Sequence, residues 1–216
     1  MKKYTPTPRS RIKRLHEYGS YSKEDVYKII DGHFMCHVSF QKAAQPFIIP
    51  TSHWREGNKL YWHGSSKSHM VQHLAKGNEC AVAITHLDGL VLARSGFETS
   101  VNYRTAICYG TPGLITDMDE FTRQQKLFME KLEPGRWDKL RPMKPQEVKA
   151  TSMLVMKIID ASAKISNGGP DDEGDDISWP VWAGHVDIKT VVGDAHKADD
   201  SHDSPKGNVM PNFFKR

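Results

Sequence analysis

Within Lys59–Leu74, KLYWHGSSKSHMVQHL, anion donors crowd together: the hydroxyls of Ser65, Ser66 and Ser68, the ammonium of Lys67 and the imidazole of His69. Leu60, Tyr61 and Trp62 suit a half-buried strand, Gly64-Ser65-Ser66 breaks its period, and Met70, Val71 and Leu74 resume at helical spacing. The pattern predicts a helix over 66–76 that begins on those donors. Free N–H groups of a first helical turn, the positive end of its dipole and a nearby cation all favour a phosphate. The same residues would also serve as a plain capped helix after a strand, since Ser is a preferred N-cap. The rest of the chain has to decide between the two.

Two further segments carry chemistry. Gly89–Gly110, GLVLARSGFETSVNYRTAICYG, places Arg94 and Arg104 at adjacent strand ends. There they could give bidentate donors to a phosphate or to ring carbonyls, or be surface arginines of little consequence. Trp179-Pro180-Val181-Trp182, followed by Gly184 and His185, could wall a flat aromatic ligand or simply be core. With the hydroxyls of Thr51, Ser95 and Tyr103, these groups suit a phosphorylated aromatic cofactor. Tyr103 and Arg104 are candidates to face the ring carbonyl of such a cofactor. No dedicated general acid or base stands out, His63 and His185 being equally suited to structural hydrogen bonds. Among eleven histidines, His69 and His73 are i,i+4 and His33 and His37 share a strand face. Neither pair has an acid at ligand spacing, and no Cys-x-x-Cys or His-Glu-x-x-His occurs, so no metal site is expected.

The elements that must position these groups are short. Ser22 is read as the N-cap of a helix, with Asp25 in the capping-box position, Val26, Ile29 and Ile30 as its buried stripe and Gly32 as its end. His33–Phe40, Pro46–His53 and Lys59–His63 form an antiparallel meander. Glu79–His86 and Leu90–Ser95 read as a hairpin across Leu87-Asp88-Gly89, and Asn102–Gly110 and Gly113–Thr116 continue the sheet. A helix over Asp119–Leu132 stops at Pro134-Gly135, a short one covers Gln146–Lys149, and Met153–Ile159 and Ala161–Ile165 return to strand. Pro170–Asp176 is expected to be a solvated loop, and Trp179–Trp182 to re-enter the core.

The 216 residues fit one domain, taken as 1–188, followed by a polar, loosely ordered tail, 189–216, in which only Phe213 and Phe214 suggest docking. No apolar run is long enough to span a bilayer and no apolar segment follows the first lysines, so a soluble, cytoplasmic protein is expected. Cys36, Cys80 and Cys108 are widely spaced in apolar runs, as reduced packed thiols would be. The net charge of +4 comes from a basic start, six cations preceding Glu17, so the body has no basic face for nucleic acid and the terminus reads as solvated. Short strands in meander order with single inserted helices give a mainly β class and a six-to-seven-stranded antiparallel barrel.

The ordered set Pro46-Phe47-Ile48-Ile49-Pro50-Thr51, Leu60–Ser65, Leu87–Ser95, Asn102-Tyr103-Arg104, Tyr109-Gly110, Pro134-Gly135-Arg136-Trp137 and Pro180–Gly184 resembles the flavin-binding split β-barrels related to pyridoxamine 5′-phosphate oxidase, within them the nitroimidazole-resistance-like branch. The likeness runs from about Arg11 to Ile188. It implies an FMN-binding split barrel that is a homodimer with FMN at the interface. Ile49, Pro50 and Thr51 would lie along the flavin ring, and His63, Ser65, Lys67, Ser68 and His69 near the ribityl phosphate. Ser95, Tyr103 and Arg104 would complete the pocket, with Trp182 from the partner subunit or the C-terminal edge. Where the family commonly places Arg or Lys, this chain has His69, which contributes a donor without a fixed charge. Related barrels also bind haem through an axial His, for which His63 is the first choice. Two function classes follow: an FMN-dependent oxidoreductase acting on a small molecule, or a flavin- or haem-binding carrier or sensor without turnover. Pyridoxamine phosphate oxidation itself is not expected, because the tail lacks that enzyme's basic pattern.

Overall fold

The computed structural model describes residues 2–200. In chain order the elements are β1 (Gly19–Ser20), α1 (Lys23–Asp31), β2 (Met35–Lys42), β3 (Gln45–Glu56), β4 (Lys59–Ser65), α2 (His69–Leu74), β5 (Cys80–Leu92), β6 (Ser100–Gly110), β7 (Gly113–Leu114), α3 (Met118–Leu132), α4 (Pro145–Ala150), β8 (Thr151–Lys157), β9 (Asp160–Ser166) and β10 (Gly184–Asp187). The strands form one antiparallel sheet in the order β1-β9-β6-β5-β2-β3-β4-β8-β7, with β10 added beside β5. The class is the expected one, but ten strands replace the expected six or seven.

The sheet curls on itself. Val38 and Phe40 of β2, Leu60 and Trp62 of β4, Val82 and Ile84 of β5, Ala106 and Cys108 of β6, Met156 of β8 and Ala161 of β9 share one buried cluster. Small residues on β6 and β9 let the two ends of the sheet approach, and a Cβ on Gly110 would stand 3.0 Å from Met156. A second cluster lies outside the barrel, where Trp54, Tyr61 and Met153 pack under Phe121 and Phe128 of α3. The Asp117 carboxylate accepts from Glu120 N at 2.7 Å and starts α3. The Trp54 indole donates to Gln124 Oε1 at 2.7 Å and fixes the helix on the sheet.

Several local expectations are corrected. No hairpin spans 79–95. Cys80–Leu92 is one 13-residue strand with a bulge between Leu87 and Gly89, and it pairs with β6. Ser22 caps α1 without a side-chain hydrogen bond, and Asp25 instead accepts from Ser20 Oγ at 2.5 Å. The helix at 66–76 shrinks to six residues with Ser68 at its N-cap. Trp179 and Trp182 do not enter the core but are 66% and 63% exposed. Within the acidic loop, the Asp172 side chain is 4% exposed because Arg94 reaches it. The basic start keeps its six cations exposed, as expected, while Tyr4 and Ser10 strap it to the barrel. Tyr4 is buried, and Asp160, its side chain 6% exposed, accepts from Arg9 Nε at 2.8 Å and Thr7 Oγ1 at 2.9 Å.

Residues 189–200 carry no helix or strand and are exposed, and the remainder of that tail, with Phe213 and Phe214, lies outside the described residues. No described helix is long and apolar enough to cross a membrane. All three cysteines are free and buried.

The C-terminus of α1 is tied to the barrel by histidines. His53 Nε2 lies 3.0 Å from Ile30 O and His86 Nε2 2.9 Å from Ile29 O, and each must carry its proton there because a carbonyl only accepts. Burial pulls the His53 pKa down to about 4. Neutral His53 is therefore favoured by the fold, and its contribution is present above the unfolded value of about 6.5 and is lost as pH falls towards 4. Burial moves His33, His63 and His86 the same way. Lowering pH from 7 to 5 is expected to remove about 2 kcal/mol through His53 alone. Urea unfolding of the wild type and of His53→Gln, which keeps a donor that does not titrate, reads this as a flatter pH profile in the variant.

Candidate functional site

The donor-rich turn sits where β4 runs out. Ser66 N donates to Ala150 O at 2.8 Å, which pins the turn to the α4–β8 junction, and Ser68 N donates to Ser65 O at 2.9 Å. Lys67 N donates to Ser65 Oγ at 3.2 Å. The Ser68 hydroxyl takes no part in capping α2, and Lys67 and His69 are exposed with no ion pair among the described residues. The turn therefore presents a hydroxyl, an ammonium and an imidazole to solvent with no carboxylate bound to them.

β3 runs alongside and splits its nominated residues between faces. Phe47 and Ile49 pack against the barrel core, while Ile48 and Pro50 face outward, Ile48 being 64% exposed. Thr51 Oγ1 donates to His63 O at 3.4 Å and links β3 to β4 beside the turn. His63 turns away from the donors. Its ring lies under α3, 5.3 Å from Phe128 and 6.0 Å from Trp54, with Nδ1 buried and unpartnered. Desolvation lowers its pKa and keeps the ring neutral.

The remaining nominated residues lie across β2, at the end of β5, on β6 three strands from β3, and before β10. Ser95 Oγ accepts from Glu98 N at 3.1 Å and shapes the β5–β6 loop. Arg94 donates to Asp172 through its backbone N and Nη1, both at 2.9 Å. Arg104 makes two 2.7 Å bonds to Asp88 that raise its pKa further, and Tyr103 stands opposite Leu87 and Ser166. Both arginine forks are thus engaged by carboxylates. Trp182 folds over Gly184, where a Cβ would stand 2.8 Å from the indole. One protomer therefore brings together Ile49, Pro50, Thr51, Ser65, Lys67, Ser68 and His69, and leaves Ser95, Tyr103, Arg104 and Trp182 elsewhere, Tyr103 and Arg104 being neighbours on β6 that face opposite sides of the sheet.

Sequence reasoning missed an aromatic group beside the turn. Phe40 and Phe47 stack at 5.4 Å in register across the β2–β3 hairpin, His69 meets Phe47 edge-on at 5.1 Å, and His73 stacks on Phe40 at 5.4 Å. The signal was present as aromatics flanking a short turn, but the register that pairs them was not. The hairpin tip itself, Ala43-Ala44, holds φ of 49° and 59°, a conformation that Asn or Gly adopts more easily. Among the described residues no group of three or more His, Cys, Asp or Glu side chains could hold a metal ion.

A family model described as pyridoxamine 5′-phosphate oxidase matches residues 22–165. The chain belongs to this family. The flavocytochrome Anf3 from Azotobacter vinelandii is 33% identical, with a TM-score of 0.89 over 98% of this chain and 97% of that one. A protein from Mycobacterium smegmatis named for binding FAD and haem is 34% identical, with a TM-score of 0.81 over 86% and 91% of the two chains. A 5-nitroimidazole antibiotic resistance protein from Bacteroides thetaiotaomicron, 18% identical, has a TM-score of 0.58 over 68% and 86%, a likeness of fold alone. No curated protein matches the chain.

Trp182 is placed by β10, which follows it and pairs with β5, and Gly89 lets that strand stay in place. A Cβ there would lie 2.8 Å from Val186 O, a backbone atom that cannot yield without moving the strand. Gly89→Ala is expected to destabilise the protein by about 1–3 kcal/mol and to release β10. Amide hydrogen exchange of Gly184–Asp187 should rise well above that of β6.

Proposed function

We propose that this protein is a flavin-binding redox protein, its flavin phosphate held at the Ser65–His69 turn and its ring laid along Ile49, Pro50 and Thr51. The observation that carries the reading is the likeness to a flavocytochrome at 33% identity over 98% of the chain. The donor set fits a phosphate: the Ser68 hydroxyl is uncommitted, and Lys67 and His69 face solvent without a carboxylate. FMN is the flavin expected from the sequence, while the name of the Mycobacterium smegmatis relative carries FAD. When bound, the flavin supplies the electron transfer, and the chain supplies binding and orientation.

The protein acts as a homodimer. The outer face of β2, β3 and β5 is built of Ile48, Pro50, His37, Ala81 and Ala83 in cross-strand register, and no described helix covers it. Phe97 and Trp182 are further exposed apolar residues of the protomer, 87% and 63% exposed. A second copy against this face would set its Ser95, Tyr103 and Trp182 over the Ile49–Thr51 strand and join the two half-sites.

A haem is the second group, because the names of both relatives carry one, as a flavocytochrome or directly. His63 is the residue that would hold its iron: burial lowers its pKa, its ring packs on Phe128 and Trp54, and its buried Nδ1 has no partner among the described residues.

Freshly purified protein is expected to show flavin bands together with a Soret band, and acid release identifies FMN or FAD. His63→Ala should lose the Soret band and keep the flavin. His69→Arg, which restores a fixed charge beside the phosphate, should tighten flavin binding about 5- to 10-fold. Ile48→Glu should give a monomer in analytical ultracentrifugation that retains its fold and loses its flavin. Reduction by a nicotinamide donor with reoxidation by an added acceptor identifies an oxidoreductase, whereas bound flavin without turnover identifies a carrier. A colourless preparation that neither FMN nor FAD can reconstitute overturns the reading.

A further inference from the structure

A cavity of about 1040 Å³ opens beside the C-terminus of α1, and of the nominated site residues only Arg104 lines it. Its walls are the C-terminus of α1, β5 from Thr85 to Asp88, the end of β9 and the residues that follow β10.

The polar groups on the walls have defined roles. His33 Nδ1 accepts from Met35 N at 2.9 Å, so its proton sits on Nε2 and that atom donates. His86 Nε2 donates to Ile29 O at 2.9 Å, so Nδ1 is left as an acceptor. The two rings meet edge to face at 5.3 Å, and a Cβ on Gly32 would approach His86 Cε1 at 3.1 Å. Burial holds both rings neutral.

Charge pairing leaves a surplus cation. Asp31 is held by Arg55 and Asp88 by Arg104, whose Nη1 stays available. Lys28 has no ion pair among the described residues, and Lys189 stands 3.9 Å from Asp187. The cavity therefore offers two ammonium groups, a guanidinium edge and an imidazole N–H as donors, against one loosely held carboxylate, the His86 acceptor and the neutral oxygens of Thr85, Ser166, Asn167 and Thr190. We infer that it binds a small hydroxylated oxyanion, the anionic oxygens facing Lys28, Lys189 and Arg104 and a ligand hydroxyl donating to His86 Nδ1. A hydroxycarboxylate and a phosphate monoester share this chemistry.

The test is a titration of the full chain, labelled with ¹⁵N histidine, with malate and with glycerol 3-phosphate, choline serving as the cationic control. The imidazole signals of His33 and His86 are followed by NMR. Saturable shifts with one or both anions and none with choline are expected, and the comparison tells carboxylate from phosphate. Lys28→Gln and Lys189→Gln, both on exposed side chains, should each weaken binding about 5-fold, and Lys126→Gln on α3 should not. Prior saturation with FMN should leave the titration unchanged. Shifts abolished by FMN would assign the anion to the Ser65–His69 turn and overturn the inference, as would absent shifts at millimolar anion or equal affinity in Lys28→Gln. The outcome is independent of whether flavin binds at all.

Discussion

A single extra residue, Asp88, governs the architecture on which both halves of the site depend. Before it, Val82 and Ile84 of β5 point into the barrel; after it, Gly89 and Val91 are buried and Leu90 and Leu92 face out. A one-residue shift exchanges the two faces of a strand, so the bulge converts a barrel stave into a ribbon whose outer row is apolar. The bulged residue is held by a two-bond ion pair to Arg104 across the sheet, and its carbonyl accepts from Ile188 N at 2.9 Å. The same device thus sets the strand's parity, anchors the residue that follows β10 and fixes the guanidinium that lines the large cavity.

Around this strand the protein builds two cores on opposite faces of one sheet. Inside, small residues on β6 and β9 let the sheet close on Trp62, Val82 and Met156. Outside, α3 covers Trp54 and Tyr61, while no described helix covers the neighbouring outer surface of β2, β3 and β5. Coverage of one outer region and not the other sorts the strand residues into covered and exposed sets. His63 falls under α3, whereas Pro50, on the adjacent strand, stays exposed. The histidines follow the same logic. His53 and His86 are occupied with the carbonyls that end α1, and His69 and His73 gather on Phe40 and Phe47.

Much of this was legible in the residues. Periodicity located α1, α3 and most of the strands, and the change of period at Gly64 marked the turn that carries the donors. The family resemblance rested on ordered local motifs, and these survive intact in the fold. What was not legible depended on distant partners. Leu87-Asp88-Gly89 has the composition of a hairpin turn, and only pairing with β6 on one side and β10 on the other makes it a bulge within a strand. Trp179 and Trp182 have the composition of core, yet among the described residues they stay 66% and 63% exposed. Arg94 and Arg104 read as free donors because their carboxylates, Asp172 and Asp88, lie 78 and 16 residues away in the sequence.

The sequence by itself determined the mainly β class, the family and the cluster of uncommitted donors between Ser65 and His69, because each is encoded by residues close together along the chain. The tertiary structure alone decided which of those residues are available. It placed Ile49 inward and Pro50 outward, gave both arginines to buried or half-buried acids, turned His63 under a helix and set Trp182 at the surface. Side-chain availability follows from register and coverage, and both are fixed by pairings between segments that no local pattern records.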